Sequence, residues 1–150
     1  MEKIRVSSKY IDKLADNEIF VFGSNTQGAH GGGAARMAMN FGAIYGKPFG
    51  LQGKTFAIPT VDYTKSGKMS IETIKEYVDK FLDFAKENKD KKFLVTEIGC
   101  GIAGFKISDI APLFKESLKD EYDNIYLPQS FIDYLTKWNR LLHSIYNDCN

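Results

Sequence analysis

Glycine in this chain is confined almost wholly to two stretches. Nine of the 13 glycines fall between Gly23 and Gly53, and three more are Gly99, Gly101 and Gly104; Gly67 alone lies elsewhere. Glycine serves where backbone takes positive φ or approaches another group closely, and elsewhere it costs conformational entropy. Any fold for this chain therefore has to give both stretches a place where bare backbone is useful.

The segments around them alternate between two periods. Ile19-Phe20-Val21-Phe22 is a short apolar run that ends at Gly23 and reads as a buried strand. Thr55-Phe56-Ala57-Ile58 is a second strand ended by Pro59, Phe93-Leu94-Val95-Thr96 a third, and Asn124-Ile125-Tyr126-Leu127 a fourth ended by Pro128. Between them, Ala34 to Phe41 reads as a helix stopped by Gly42. Ser70 caps a helix carrying Ile71, Ile74, Val78, Phe81, Phe84 and Ala85 at helical spacing. Ser108 caps another, with Ile110, Leu113, Phe114 and Leu118, and Pro112 is tolerated in its first turn. A last helix starts at Ser130 and aligns Phe131, Leu135, Trp138, Leu142 and Ile145. Ile4 to Leu14 reads as a short edge strand followed by a helix. Apolar strands alternating with amphipathic helices imply an α/β fold, a single domain over residues 1–150, with a mostly parallel sheet covered on both faces.

That topology bears on function. In parallel sheets ligands bind beyond the carboxyl ends of the strands. The first glycine-rich stretch follows the first strand, the second follows the third, and Thr60 follows the second. All three are therefore delivered to one rim. In Gly23-Ser24-Asn25-Thr26-Gln27-Gly28-Ala29-His30-Gly31-Gly32-Gly33, glycines let backbone N–H groups point into a concavity, and a helix start at Ala34 adds its positive dipole end. A phosphate or diphosphate fits such a cradle. The stretch is neither a Walker A loop nor a well-formed dinucleotide fingerprint, since no Gly-Lys-Ser/Thr follows and the glycine spacing differs. Asn25 reads either as a ribose ligand or as a turn asparagine, and His30 as a general base, a phosphate donor or a solvated loop residue. In Gly99-Cys100-Gly101-Ile102-Ala103-Gly104-Phe105, backbone can wrap a second phosphate or a ribose, while Phe105 either stacks on a ring or packs at a helix entry. Cys100 reads as a nucleophile or as a small loop residue, and the absence of a paired histidine favours the latter. Glu97 needs a partner to act as a base.

Charge and cysteine content exclude several classes. Net charge is +1, from 20 basic and 19 acidic side chains, where a dedicated nucleic-acid binder would show a basic excess. Two cysteines, Cys100 and Cys149, make neither a disulfide framework nor a metal ligand set. No apolar run reaches the roughly 18 residues of a membrane span, and Met1 to Arg5 lacks a signal-peptide core. A cytoplasmic protein with no metal, no cofactor and no membrane partner is expected.

The two loops, in this order and separation, resemble those of the macro domain, an ADP-ribose-binding module. Ser24-Asn25 followed by Gly31-Gly32-Gly33-Ala34-Ala35 and ending at Phe41-Gly42 is similar to the family's first loop and helix. Ile98-Gly99-Cys100-Gly101-Ile102-Ala103-Gly104-Phe105 is similar to its second. The resemblance spans about Ile19 to Leu127. It implies a three-layer α/β/α fold whose cleft takes ADP-ribose or a related diphosphate nucleotide, free or attached to a macromolecule. The ligand-binding set it implies is Gly23, Ser24, Asn25, Gly31, Gly32, Gly33, Ala34, Thr60 and the run Gly99, Cys100, Gly101, Ile102, Ala103, Gly104, Phe105, with Phe105 near the distal ribose. Some hydrolytic members carry an aspartate after the glycine run or a lysine in the following helix; here the positions hold Ala34-Ala35-Arg36 and the helix has no lysine. Two functions follow. One is hydrolysis at the distal ribose of an ADP-ribose derivative, with Asn25 or His30 assisting a bound water; the other is nucleotide sensing or sequestration without turnover. A protein-interaction role is a third, weaker reading.

Overall fold

Strand alternation explains how this chain builds two different cores on one sheet. A computed structural model describes residues 5–64 and 67–137. The central strand, β2 (Glu18–Asn25), sends Ile19 and Val21 to one face and Phe20 and Phe22 to the other. Ile19 and Val21 join the larger core, with Val78, Phe81 and Leu82 of α2 (Ile71–Glu87). Phe20 and Phe22 join a smaller one, with Ala35 and Ala38 of α1 (Gly33–Met39). The alanines on that side let a short helix lie close against two aromatic rings.

The sheet has seven strands: β1 (Val6–Ser7), β2, β3 (Gly50–Gln52), β4 (Thr55–Asp62), β5 (Gly67–Lys68), β6 (Lys92–Val95) and β7 (Ile125–Pro128). Its order is β1-β7-β6-β2-β4-β3, with β5 added to β4. The pairs β1·β7, β7·β6, β6·β2 and β2·β4 are parallel, while β3 and β5 run antiparallel to β4. The sheet is thus mixed and mostly parallel. In register, Phe20 faces Thr55 on one side and Leu94 on the other, so β4, β2 and β6 end side by side.

Helix α2 forms where the spacing predicts. Ser70 Oγ accepts from the Thr73 amide at 3.2 Å and satisfies one of the amides a helix start leaves unmatched. The stripe Ile74, Val78, Phe81, Leu82 and Ala85 is buried. Phe81 sits within 5.1–5.4 Å of the Phe56 and Phe93 ring centroids in edge contacts, the geometry aromatic pairs prefer.

Three expectations are corrected. The strand at Thr55 does not stop at Pro59 but runs to Asp62. Pro59 falls between the β4 residues that pair with β3 and those that pair with β5, beside a register shift at Ser24 and Asn25. Its missing N–H therefore meets an outer edge with no partner there. Residues 8–15 form no helix but irregular chain with a bend at Lys9; Ile11 and Leu14 pack from it against the smaller core. The helix expected from Ser108 to Leu118 is α-helical only over α3 (Ile107–Ile110), and Ala111–Leu118 tightens to 3-10 geometry with Pro112 near its start. The expected last helix, α4, is present from residue 129 through residue 137, the last one described; Trp138, Leu142 and Ile145 lie outside the described residues.

Candidate functional site

The ends of β2, β4 and β6 open onto one cavity of about 500 Å³. Gly23 to Asn25 and Gly31 to Ala34 of the first loop line it, together with Thr60, Thr96 to Gly99, and Gly101 to Ala103. Two loops about 70 residues apart in sequence thus share a wall, as the strand order requires. They come close at their roots and at their tips. A side-chain carbon on Gly23 would lie 3.4 Å from the Gly99 amide, and one on Gly32 would lie 3.1 Å from Ile102 Cδ1.

Each loop holds its shape by hydrogen bonds within itself. Asn25 is buried; its Nδ2–H donates to the Ala29 carbonyl (2.8 Å), and its Oδ1 accepts from the amides of Gln27 (3.1 Å) and Ala29 (3.0 Å). The turn reading of Asn25 is therefore realised, and one N–H of its amide remains for the cavity it lines. Thr60 Oγ–H donates to the Ser24 carbonyl at 3.3 Å, and Ser24 Oγ–H donates to the Pro48 carbonyl. In the second loop Gly99 has φ +77°, and a Cβ there would lie 3.3 Å from both Phe105 Cδ2 and Ile110 Cδ1. Glycine is what permits this turn to fold back onto the core.

Helix α1 starts at the cavity wall with Gly32 as its N-cap and no side-chain capping bond. The amides of its first turn, from Gly33, Ala34 and Ala35, have no partner one turn earlier. Backbone N–H groups, rather than cations, are what this cavity offers an anion. Among its lining residues none is Lys, Arg or His, and the one charged side chain is Glu97.

Several sequence candidates fall elsewhere. His30 is 4 % exposed and does not line the cavity. Its Nε2–H is placed to donate to the Ile44 carbonyl at 3.0 Å, and its ring meets Phe22 edge-on at 5.1 Å. It is a buried strut beneath the loop, not a solvated base. Phe105 is 7 % exposed and belongs to the larger core, which realises the helix-entry reading rather than ring stacking. Gly104 does not line the cavity either, and Cys100 borders a second one. That second cavity, about 650 Å³, adjoins the first along Gly33, Ala34, Thr96, Glu97 and Gly101, and is otherwise walled by Lys9, Tyr10, Ile11, Asp12, Phe20, Met37 and Cys100. Sequence reasoning missed this pocket, because the irregular chain around Tyr10 and Ile11 carries no motif.

Burial, then the charges of Glu97 and Asp109, push the Cys100 thiol up to about 11. A thiol held protonated is a poor nucleophile. In a Cys149→Ser background, alkylation of Cys100 near pH 7.5 is expected to run about a hundredfold slower than for a thiol of ordinary pKa, rising until about pH 11. A pH–rate profile with iodoacetamide checks this; a plateau below pH 8 would contradict it.

Comparison of the chain with protein-family models, with curated proteins and with solved structures finds no match. The site's chemistry has to be argued from its own residues. Among the described residues no group of three or more His, Cys, Asp or Glu side chains is placed to hold a metal ion, and no helix is long and apolar enough to cross a membrane.

Proposed function

We propose that this chain is a macro-like domain of three-layer α/β/α build, and that it binds ADP-ribose or a related diphosphate nucleotide in the cleft between its two glycine-rich loops. One observation carries the reading: both loops line a single cavity at the carboxyl ends of adjacent parallel strands, with the unmatched amides of a helix start in its wall. Backbone N–H groups and a helix dipole bind phosphate without a basic side chain. A neighbouring pocket, reached along a shared wall, sets Tyr10, Ile11, Phe20 and Met37 beside Lys9 and Asp12, a lining of rings and polar groups that suits a base.

Binding without turnover is the mode these residues support best. The Asn25 carbonyl oxygen is occupied by the loop's own amides, the His30 ring is buried away from the cavity, and the Cys100 thiol is protonated. A hydrolase would have to rely on oriented water and electrostatic positioning alone.

Titration calorimetry with ADP-ribose tests the ligand class. Saturable heat with one site per chain is expected, and no heat at millimolar ligand would remove the proposal. Gly101 lines the cavity with open space where a Cβ would stand. Gly101→Leu should therefore fold normally and weaken binding on the order of tenfold or more, about 1.4 kcal/mol. Incubation with ADP-ribosylated protein and with ADP-ribose 1″-phosphate then separates the modes. Release of ADP-ribose that Asn25→Ala abolishes would establish a hydrolase; no release establishes a binding module.

A further inference from the structure

Glu97 stands at a crossing of three cavities. It lines the 500 Å³ cavity of the glycine loops, the 650 Å³ pocket beside it, and a third of about 350 Å³ bounded by Ser8, Lys9, Gln129 and Ser130 among others. Only Thr96 shares all three with it. Thr96 Oγ–H is already donated to the Val21 carbonyl at 2.8 Å. The Glu97 carboxylate is exposed and is held from one side only, where Ser130 Oγ–H donates to Oε2 at 2.9 Å. Its other oxygen has no hydrogen-bond partner among the described residues.

The covalent order of a nucleotide decides what meets this carboxylate. Between phosphate and base lies a ribose. If the diphosphate occupies the glycine-loop cavity and the base the pocket beside Tyr10 and Phe20, the ribose next to the base must lie along their shared wall. Glu97 is the charged residue of that wall. A carboxylate accepts hydrogen bonds and donates none. A vicinal diol offers it two O–H donors and a deoxyribose one, whereas a 2′-phosphate leaves the 3′-hydroxyl alone as donor and sets an anion beside the carboxylate. Acidic residues read a ribose diol against its 2′-phosphate by this chemistry in dinucleotide folds.

We propose that Glu97, oriented by Ser130, is a specificity residue that accepts from the 2′,3′-diol of the base-proximal ribose and rejects nucleotides phosphorylated there. The inference rests on the nucleotide-binding reading above. A hydrogen bond to a charged group is worth enough to separate ligands by about tenfold or more.

The test is calorimetry with ADP-ribose and with 2′-phospho-ADP-ribose, on the native chain and on Glu97→Gln. Glutamine keeps the side chain's length and an acceptor for Ser130 while removing the charge. The native chain is expected to favour ADP-ribose by about tenfold or more. Glu97→Gln is expected to bring the two ligands within about threefold of one another, at an unchanged melting temperature. If the native chain binds ADP-ribose but shows no preference, or if Glu97→Gln keeps the preference intact, the role of Glu97 is overturned while the nucleotide reading stands. If the native chain binds neither ligand, both fall.

Discussion

Replacing Gly28 with alanine should lower the stability of this protein by about 3 kcal/mol or more, although the change adds one methyl group. Gly28 sits at φ +66°, a left-handed conformation that costs an alanine roughly 1 kcal/mol on its own. Most of the cost is steric. A Cβ there would lie 2.4 Å from the Lys47 amide nitrogen, 2.6 Å from the Gly46 carbonyl carbon and 2.8 Å from the Lys47 carbonyl carbon. These are backbone atoms, so no side-chain rotation can relieve the overlap. The loop must separate from residues 44–48, to which it is strapped by the Gly46 amide on the Gly28 carbonyl (2.9 Å) and by His30 on the Ile44 carbonyl (3.0 Å). For a domain of this size the melting temperature should fall by roughly 10 °C. Gly31→Ala is the control, because a Cβ there meets nothing within 4 Å and φ is not positive. It should melt within about 2 °C of the native chain. Scanning calorimetry of the two variants decides the matter, and equal melting temperatures would show that the strap does not hold the first loop.

Asn124→Asp should destabilise the fold strongly although it is isosteric, and its cost should depend on pH. Asn124 is 7 % exposed and points its amide nitrogen at three carbonyls: Ala85 at 2.9 Å, Lys91 at 3.1 Å and Asn88 at 3.2 Å. One side chain thereby ties the carboxyl end of α2 to the start of β6. Aspartate would set a carboxylate oxygen against those three carbonyl dipoles. Leaving a buried charge uncompensated costs about 3–5 kcal/mol. The carboxyl would be driven up from its unfolded value of about 3.9, since burial and the carbonyls both disfavour the charged form. A group whose folded pKa is raised favours the folded state when protonated. The penalty of the variant is therefore smallest below about pH 4, grows as pH rises through the shifted pKa, and is full at pH 7. Urea unfolding of both chains at pH 4.5 and pH 7 should show the gap widen by about 1.4 kcal/mol or more. A gap independent of pH would mean that the carboxylate escapes to water.

How much of this was legible in the chain varies by element. The strands at Ile19, Thr55, Phe93 and Ile125 stand out because each is apolar and buried between neighbours on both sides. Helix α2 stands out because a long amphipathic stripe begins at a serine cap. β3 and β5 escaped because they are two or three residues long and take their geometry from β4 rather than from their own pattern. Ile11 and Leu14 have helical spacing, yet they pack against the smaller core from irregular chain. At the site, the shared rim followed from strand direction alone. The fate of His30 did not, since a histidine among glycines reads as solvated until Phe22 and the Ile44 carbonyl are seen around it. Phe105 likewise needed the neighbouring Gly99 turn to be placed in the core.

If two sequence-distant loops act as one nucleotide cradle, both must respond to the same ligand at once. Titration of the nitrogen-15-labelled chain with ADP-ribose, followed residue by residue in amide spectra, tests this most directly. The amides of Gly31 to Ala35 and of Gly99 to Ala103 should shift together along a single saturation curve. Shifts confined to one loop, or none at millimolar ligand, would contradict it.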